Sequence, residues 1–93
     1  MLNNVLITPR GEYQKAAPKD GVAFTVTELQ DMVAGYITIE DLGDGRMVIY
    51  DVDGAMNDKL YNKPATDLIL SANPKWNGFV AGNAVICSRV RVD

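Results

Sequence analysis

Two β-prone runs that flank a turn at residues 43–45 constrain this sequence most. Residues 36–40 and 46–50 are rich in β-branched and aromatic side chains, and Ile37 and Ile39 fall on one face of the first run. Because the turn between the runs is Gly-Asp-Gly, the pattern predicts an antiparallel hairpin. The alternation also predicts that one face of its first strand is exposed to water.

A short helix is predicted immediately before this hairpin. Thr27 is followed three residues later by Gln30, which is the spacing of a capping box, so the helix is expected to begin at Glu28. Apolar side chains then recur at helical spacing. Gly35 is the residue expected to take the left-handed conformation that ends the helix after about two turns.

The remaining segments add strands and a second helix. Residues 4–8 predict a first strand, residues 11–21 a polar loop that can extend into a hairpin, and residues 22–25 its returning strand. Pro64 suits the first turn of a second short helix. Residues 84–92 predict a closing strand that is apolar on both sides at first and alternates later, as expected for a strand that runs from the middle of a sheet to its edge.

The chain length fits one domain that spans residues 1–93. With 93 residues, of which 47% are hydrophobic, the sequence can close one modest core. The predicted fold class is α+β: a mostly antiparallel, twisted sheet with one or two short helices packed on one face. Several β-rich runs around so small a core also favour a homo-oligomer, in which edge strands find partners.

The composition argues against several classes of function. The chain has no histidine, and Cys87 is its single cysteine, so the common zinc, haem and Cys/His catalytic sets are missing. We therefore expect no enzyme activity, no metal and no cofactor. The net charge of −3 gives no reason to expect direct nucleic-acid binding. No apolar run approaches the ~20 residues of a membrane span, and no signal-peptide pattern opens the sequence, so we expect a cytoplasmic protein.

Four residues are candidates for contact with a small anionic ligand. Asn62 and Thr66 lie where the second helix begins, where free backbone N–H groups can hold a phosphate or carboxylate. Arg89 and Arg91 leave the same face of the closing strand and can form a fork for an anion. The alternatives are that Asn62 orders the loop and caps the helix, and that the arginines protect a solvated edge strand. Arg46 joins them only if its strand is adjacent.

Acidic residues are concentrated in the centre of the chain and form a second candidate site. Such a surface can imitate the phosphates of a nucleic acid or complement a basic protein. Ordinary turn chemistry explains most of these residues equally well, because aspartate is favoured in turns. The candidate acidic surface consists of Glu40, Asp41, Asp44, Asp51 and Asp53.

The sequence contains, in this order, Leu29-Gln30-x-x-Val33-Ala34-Gly35, Tyr36-Ile37-x-Ile39, an acidic turn and Asn62-x-x-Ala65-Thr66. This order resembles a family of small proteins of unknown function that is common in phages and mobile elements. Its pattern is L-Q-x-x-V-G-G-Y-I, an acidic turn, N-x-x-A-T and a final strand, and it is matched over residues 24–88. Ala34 departs from the pattern by replacing the first of its two glycines, which is expected to matter little while Gly35 provides the turn. In size and strand order the chain is also distantly similar to the Thoeris anti-defence proteins, which sequester nucleotide-derived signals.

The family carries no settled activity, but the distant similarity to the anti-defence proteins implies a binding protein that counters a host defence. The first hypothesis is that the chain sequesters a small nucleotide-like ligand without cleaving it, with Asn62, Thr66, Arg89 and Arg91 as its contacts. The alternative is a protein inhibitor that acts on a host defence protein through its acidic surface, for example as a DNA mimic directed at a nuclease or a CRISPR effector.

Overall fold

The computed structural model describes residues 4–88 and 90–91, which form seven strands and two helices. In chain order they are β1 (Val5–Ile7), β2 (Tyr13–Lys15), β3 (Phe24–Thr25), α1 (Val26–Val33), β4 (Ile37–Asp41), β5 (Met47–Asp51), α2 (Lys63–Ala72), β6 (Ala84–Cys87) and β7 (Val90–Arg91). Five strands form an antiparallel sheet in the order β2-β1-β6-β5-β4. The predicted α+β class and the predicted β4–β5 hairpin are therefore confirmed.

The central strand of the sheet is β6, which is buried along its whole length. Its continuous apolar run predicts this position, because a strand in the middle of a covered sheet is buried on both faces. The predicted strand at residues 84–92 ends at Cys87, however. The chain instead forms β7, which pairs in parallel with β3 in a separate two-stranded sheet. The predicted returning strand at residues 22–25 is thus wrong in its partner, since β2 forms the hairpin with β1.

The two helices cover opposite faces of the sheet, whereas the sequence predicts both on one face. Val48 and Ile86 belong to the apolar cluster that contains Ile69 of α2. Ile49 and Val85, the next residues on the same strands, belong to the cluster that contains Leu29 of α1. The physical reason is the composition of β6, because a strand that is apolar on both sides needs a cover on each.

The helix α1 begins two residues earlier than Thr27 and Gln30 predict. Thr25 is its N-cap: the Thr25 Oγ1 accepts from the Glu28 N–H at 3.1 Å, and the Glu28 carboxylate accepts from the Thr25 N–H at 3.0 Å. Thr25 with Glu28 and Thr27 with Gln30 both have the spacing of a capping box. Only the observed cap at Thr25 places Phe24 and Leu29, both buried, at the two positions of a hydrophobic staple. The staple explains why Thr25 caps the helix instead of Thr27.

The end of α1 also differs from the prediction. The left-handed residue is Ala34, with φ of 58°, and not Gly35. Gly35 is needed for a different reason: a Cβ atom at this position would lie 2.5 Å from the carboxylate carbon of Asp51. Ala34 therefore places a side chain where the backbone favours glycine.

Candidate functional site

Asn62 and Thr66, the predicted ligand contacts at the start of α2, are interior residues. Asn62 is fully buried: its Nδ2 donates to the carbonyls of Ile7 at 3.0 Å and Gly82 at 2.8 Å, and its Oδ1 accepts from the Ala65 N–H at 3.1 Å. The alternative that Asn62 caps α2 is thus confirmed. A ligand cannot reach this amide unless the fold opens, because every hydrogen-bonding group of the side chain is used inside the protein.

Thr66 continues the same network one turn into α2. Its hydroxyl donates to the Asn62 carbonyl at 2.8 Å and accepts from the Val80 N–H at 2.9 Å. The residue is 2% exposed. We call Asn62, Thr66 and these backbone partners the Asn62 cluster; it joins β1, α2 and the segment that leads into β6.

The two predicted arginines are described only in part. Arg91 lies in β7, where its backbone pairs with Thr25, and its side chain lies outside the described residues. Arg89 also lies outside them. Arg46 does not meet the condition set by the sequence, because the strand that follows it, β5, pairs with β6, whereas Arg91 lies in β7 of the separate sheet. Since Asn62 and Thr66 are interior, the four predicted residues do not form one solvent-facing site.

The five predicted acidic residues do not share one environment. Asp51 is 2% exposed, so its assignment to an acidic surface is wrong. Glu40 is half-buried and accepts from the Tyr50 hydroxyl at 3.1 Å. Asp44 is ion-paired, which leaves Asp41 and Asp53 as exposed carboxylates without an ion pair to a described residue.

Asp51 is instead the centre of a buried ionic network. Its Oδ2 accepts from the Lys59 ammonium at 2.6 Å and from the Asn57 amide at 3.0 Å, and its Oδ1 accepts from the Asp53 N–H at 2.9 Å. Burial acts to raise the pKa of Asp51, but the hydrogen bonds from Lys59, Asp53 and Asn57 outweigh it and hold that pKa below its usual value. The carboxylate is therefore stabilised in its charged form.

Lys59 connects this network to the end of α1. Its ammonium donates to the carbonyls of Val33 at 2.7 Å and Ala34 at 2.8 Å in addition to Asp51. These carbonyls belong to the last turn of the helix and its cap, where a cation is favoured by the helix dipole. We call Asp51, Asn57, Lys59 and these two carbonyls the Asp51 cluster. Because its ammonium donates to Asp51 and to the end of α1, Lys59 has a structural role.

A groove on the α2 face of the sheet combines an apolar floor with charged and aromatic side chains. It consists of two adjoining depressions of about 220 Å³ each, which share Arg46 and Leu68. The first has a floor of Val5 and Ile86 and is bordered by Tyr13, which is 57% exposed. The second lies between the β4–β5 turn and α2, and its other lining residues are Leu42, Asp44, Ser71 and Ala72. We call both depressions together the Arg46 groove.

A second cation rises from the same face beside the floor of the groove. Val5 pairs with Lys15 on one side and with Ile86 on the other. Directly opposite residues of antiparallel strands project to the same face, so Lys15 stands next to the groove floor. Lys15 is exposed and makes no ion pair with a described residue. Arg46 and Lys15 thus bring two positive charges to one apolar surface.

The Arg46 guanidinium is held in place by its neighbour in the turn. Its Nη2 lies 2.8 Å and its Nε 3.0 Å from the same Asp44 oxygen. Hydrogen bonds from the Arg46 side chain and backbone lower the pKa of the Asp44 carboxyl, so this residue is ionised at neutral pH. The Arg46 Nη1 makes no hydrogen bond to a described residue and remains a donor for an anion.

Tyr13 and Lys15 are not among the site residues predicted from the sequence. The pattern that could have identified them is their spacing, because residues two apart on a strand share a face. Tyr13 pairs with Ile7 and Lys15 pairs with Val5, so both lie on the same face as these apolar residues. The polar character of residues 11–21 instead favours a loop. Whether this short strand faces a groove depends on its neighbours in the sheet, which local spacing does not reveal.

Other classes of site have little support in the described part of the chain. Cys87, the single cysteine of the sequence, is buried on β6. No three acidic or cysteine side chains within residues 4–88 and 90–91 are grouped as metal ligands. Neither α1 nor α2 has the length and apolar character of a membrane span.

Comparisons with models of protein families, with curated proteins and with solved structures find no match to this chain.

Proposed function

We propose that this chain is a small non-catalytic binding protein that holds a nucleotide-like ligand in the Arg46 groove. The observation that carries the proposal is the placement of two cations and one aromatic ring around a shared apolar floor. A nucleotide-like molecule needs these partners: a guanidinium or ammonium for its phosphate and a flat apolar surface for its base.

Each border residue has a distinct role in this proposal. Arg46 donates from its free Nη1 to a phosphate oxygen, and its orientation is set in advance by Asp44. Lys15 adds a mobile positive charge. Tyr13 offers an exposed ring for stacking, while Val5, Leu68 and Ile86 exclude water from the other side of the base. The negative charge of Asp44 lowers the affinity of the groove for a bare inorganic anion. A ligand with one or two phosphates is favoured over such an ion because its base also contacts Tyr13 and the apolar floor.

The size of the groove supports a ligand of this class. One depression of about 220 Å³ is smaller than a typical small-molecule site, but the two together fall in the range of about 300–1,000 Å³ that such sites occupy. A ligand that spans both must pass Arg46, which lines each of them. The phosphate is therefore proposed at Arg46 and the base beside Tyr13.

The biological role that we propose is sequestration of a nucleotide-derived signal in a host cell, by a protein of phage or mobile-element origin. The resemblance in residues 24–88 supports this origin. Sequestration requires binding without turnover, and the one serine that lines the groove, Ser71, donates its hydroxyl to the Asp67 carbonyl and not to a base. Arg89 and Arg91 stay predictions as anion contacts, but they are not assigned to this groove, because β7 packs through Val90 on the α1 side of the sheet.

The test is calorimetric titration of the purified protein with adenosine monophosphate and with adenosine. Adenosine monophosphate is expected to bind, and adenosine to bind more weakly because it lacks the anion. The variant Arg46→Gln is expected to weaken the monophosphate by about tenfold or more, which corresponds to ~1.4 kcal/mol. Tyr13→Ala is expected to weaken both ligands. Native mass spectrometry of fresh protein then shows whether a nucleotide of similar chemistry is retained.

The matched control is Lys75→Gln, which removes one exposed positive charge from the loop after α2. It should leave both affinities unchanged if the effect of Arg46→Gln is local. The proposal is wrong if neither ligand binds, or if Arg46→Gln and Lys75→Gln reduce binding equally.

A second candidate function is the acidic inhibitor of a host defence protein. Exposed Asp41 and Asp53 support it, since their charges are available to a basic partner. The test is to measure, at increasing salt concentration, how strongly the wild-type protein and the double variant Asp41→Asn, Asp53→Asn inhibit a nuclease or a CRISPR effector. Inhibition that persists in the double variant would count against this candidate.

A further inference from the structure

The two outer strands of the five-stranded sheet differ in length and in protection. β2 has three residues, all exposed, and it carries Lys15. β4 has five residues and is the longer open edge. Short edge strands with lysine are protected against pairing with another chain, whereas a longer edge with apolar side chains is not. β4 is therefore the less protected edge of this sheet, although its last two residues are acidic.

The free backbone groups of β4 follow from the hydrogen bonds at its two ends. The Val52 N–H donates to the Tyr36 carbonyl, and the Leu42 N–H donates to the Arg46 carbonyl, each at 2.9 Å. Opposite residues in an antiparallel pair alternate between bonded and non-bonded pairs. The even-numbered residues of β4 thus bond to β5.

The odd-numbered residues, Ile37, Ile39 and Asp41, point their N–H and carbonyl groups away from β5. These groups have no partner among the described residues. Ile39, in the middle of the strand, is also 43% exposed although it is a large apolar residue. The edge thus offers both a hydrogen-bonding register and apolar surface.

We infer that β4 pairs with β4 of a second copy of this chain, in an antiparallel arrangement with a twofold axis at Ile39. In this register Ile37 faces Asp41 of the partner, and Ile39 faces its own copy. Every outward N–H and carbonyl of both strands then has a partner. A shift by two residues leaves the outward groups of one residue on each strand unpaired.

The charges of β4 are compatible with this arrangement. Thr38 lies opposite Glu40 of the second copy, so each carboxylate faces a hydroxyl donor, and no acidic residue lies directly opposite another. Pairing of β4 with β2 of a second copy is less favourable, because β2 is only three residues long. That contact is also heterologous and leads to open-ended chains, whereas twofold pairing closes.

The first test is light scattering coupled to size-exclusion chromatography over a concentration series. The wild-type protein is expected to be a dimer. Ile39→Lys is expected to be monomeric, because it places two ammonium groups side by side at the axis. Val22→Lys, which makes the same change at an exposed residue outside the sheet, should remain dimeric. A monomeric wild type, or a dimeric Ile39→Lys with native circular dichroism, overturns the inference.

The register has its own test through oxidative cross-linking. In the proposed dimer, Ile39→Cys brings two thiols to a bonded pair with a Cα separation of about 5.5 Å, which a disulfide can span. Asp41→Cys places its two thiols four residues apart along the strands, about 14 Å, which is too far. Cross-linking of Ile39→Cys alone supports the register. Cross-linking of Asp41→Cys, or of the wild type through Cys87, contradicts it.

Discussion

The Asp51 cluster and the Asn62 cluster solve the same structural problem with different chemistry. Each joins segments that are distant in sequence through buried polar side chains. The Asp51 cluster uses an ion pair between β5 and the loop that caps α1. The Asn62 cluster uses a neutral amide and a hydroxyl between β1, α2 and the segment before β6. Both kinds of network depend on their partners, but only the buried charge also makes stability depend on pH.

The largest expected effect comes from removal of the cation of the Asp51 cluster. Lys59→Met leaves Asp51 buried without a counter-charge, so the free energy of unfolding should fall by about 3–5 kcal/mol in urea titrations. The control Lys63→Met breaks an exposed ion pair with Asp67 and should change little. If both variants lose the same small amount, the ion pair does not hold the end of α1 in place.

The neutral cluster is expected to show a somewhat smaller effect. Asn62→Ala removes the cap of α2 and the buried amide that donates to the carbonyls of Ile7 and Gly82, at a cost of about 2–4 kcal/mol. Asn62→Asp keeps the capping oxygen but not the donors, so it should be destabilised as well. Asn77→Ala, at an exposed loop position, is the control in the same denaturation experiment. A loss no greater than that of a helix cap would show that water replaces the amide.

The pH dependence separates the two clusters more sharply than mutation does. The pKa of Asp51 in the folded chain lies below its unfolded value of about 3.9, so its contribution is present above that pH and is lost as the pH falls through the folded pKa. Acid should therefore weaken wild-type protein more steeply than Asp51→Asn, as measured by thermal unfolding between about pH 2 and pH 6. Asn62→Ala should keep the wild-type slope. Parallel curves for wild type and Asp51→Asn would contradict this assignment.

The smallest effect is expected at the junction between α1 and the Asp51 cluster. Ala34→Gly relieves a left-handed alanine and should raise the free energy of unfolding by about 1 kcal/mol. The reverse change at the next residue, Gly35→Ala, should lower it, because the new Cβ meets the Asp51 carboxylate. Opposite signs in differential scanning calorimetry would show that the two neighbouring positions have different requirements. Equal signs would show that the cap moves as one unit.

Local patterns in the sequence predict some of these features and not others. The β4–β5 hairpin and the central place of β6 follow from alternation and from a continuous apolar run. The role of Asn62 as a cap was open as an alternative because Pro64 marks the start of α2. The burial of Asp51 could not be predicted, because its partner Lys59 lies in a segment with no periodicity.

The Arg46 groove is beyond local prediction for a related reason. Tyr13 and Lys15 belong to β2, and Arg46 precedes β5, so they meet only through the strand order β2-β1-β6-β5. That order depends on long-range pairing of β6 with β1 and β5. The start of α1 was mispredicted by two residues because two threonines have the same spacing to an acceptor. The choice between them is made by Phe24, which is buried against Leu29.

The position of β6 has a consequence for how the chain folds as it leaves the ribosome. The β1–β2 and β4–β5 hairpins are both synthesised before β6, yet neither neighbours the other in the sheet. Each emerges with an inner edge that lacks its partner, and an isolated hairpin is at best marginally stable in water. The five-stranded sheet can therefore form only after residues 84–87 have been synthesised, when β6 pairs with β1 on one side and with β5 on the other. A nascent chain stalled before Ala84 would present two unpaired inner edges at once, which is the state most exposed to aggregation.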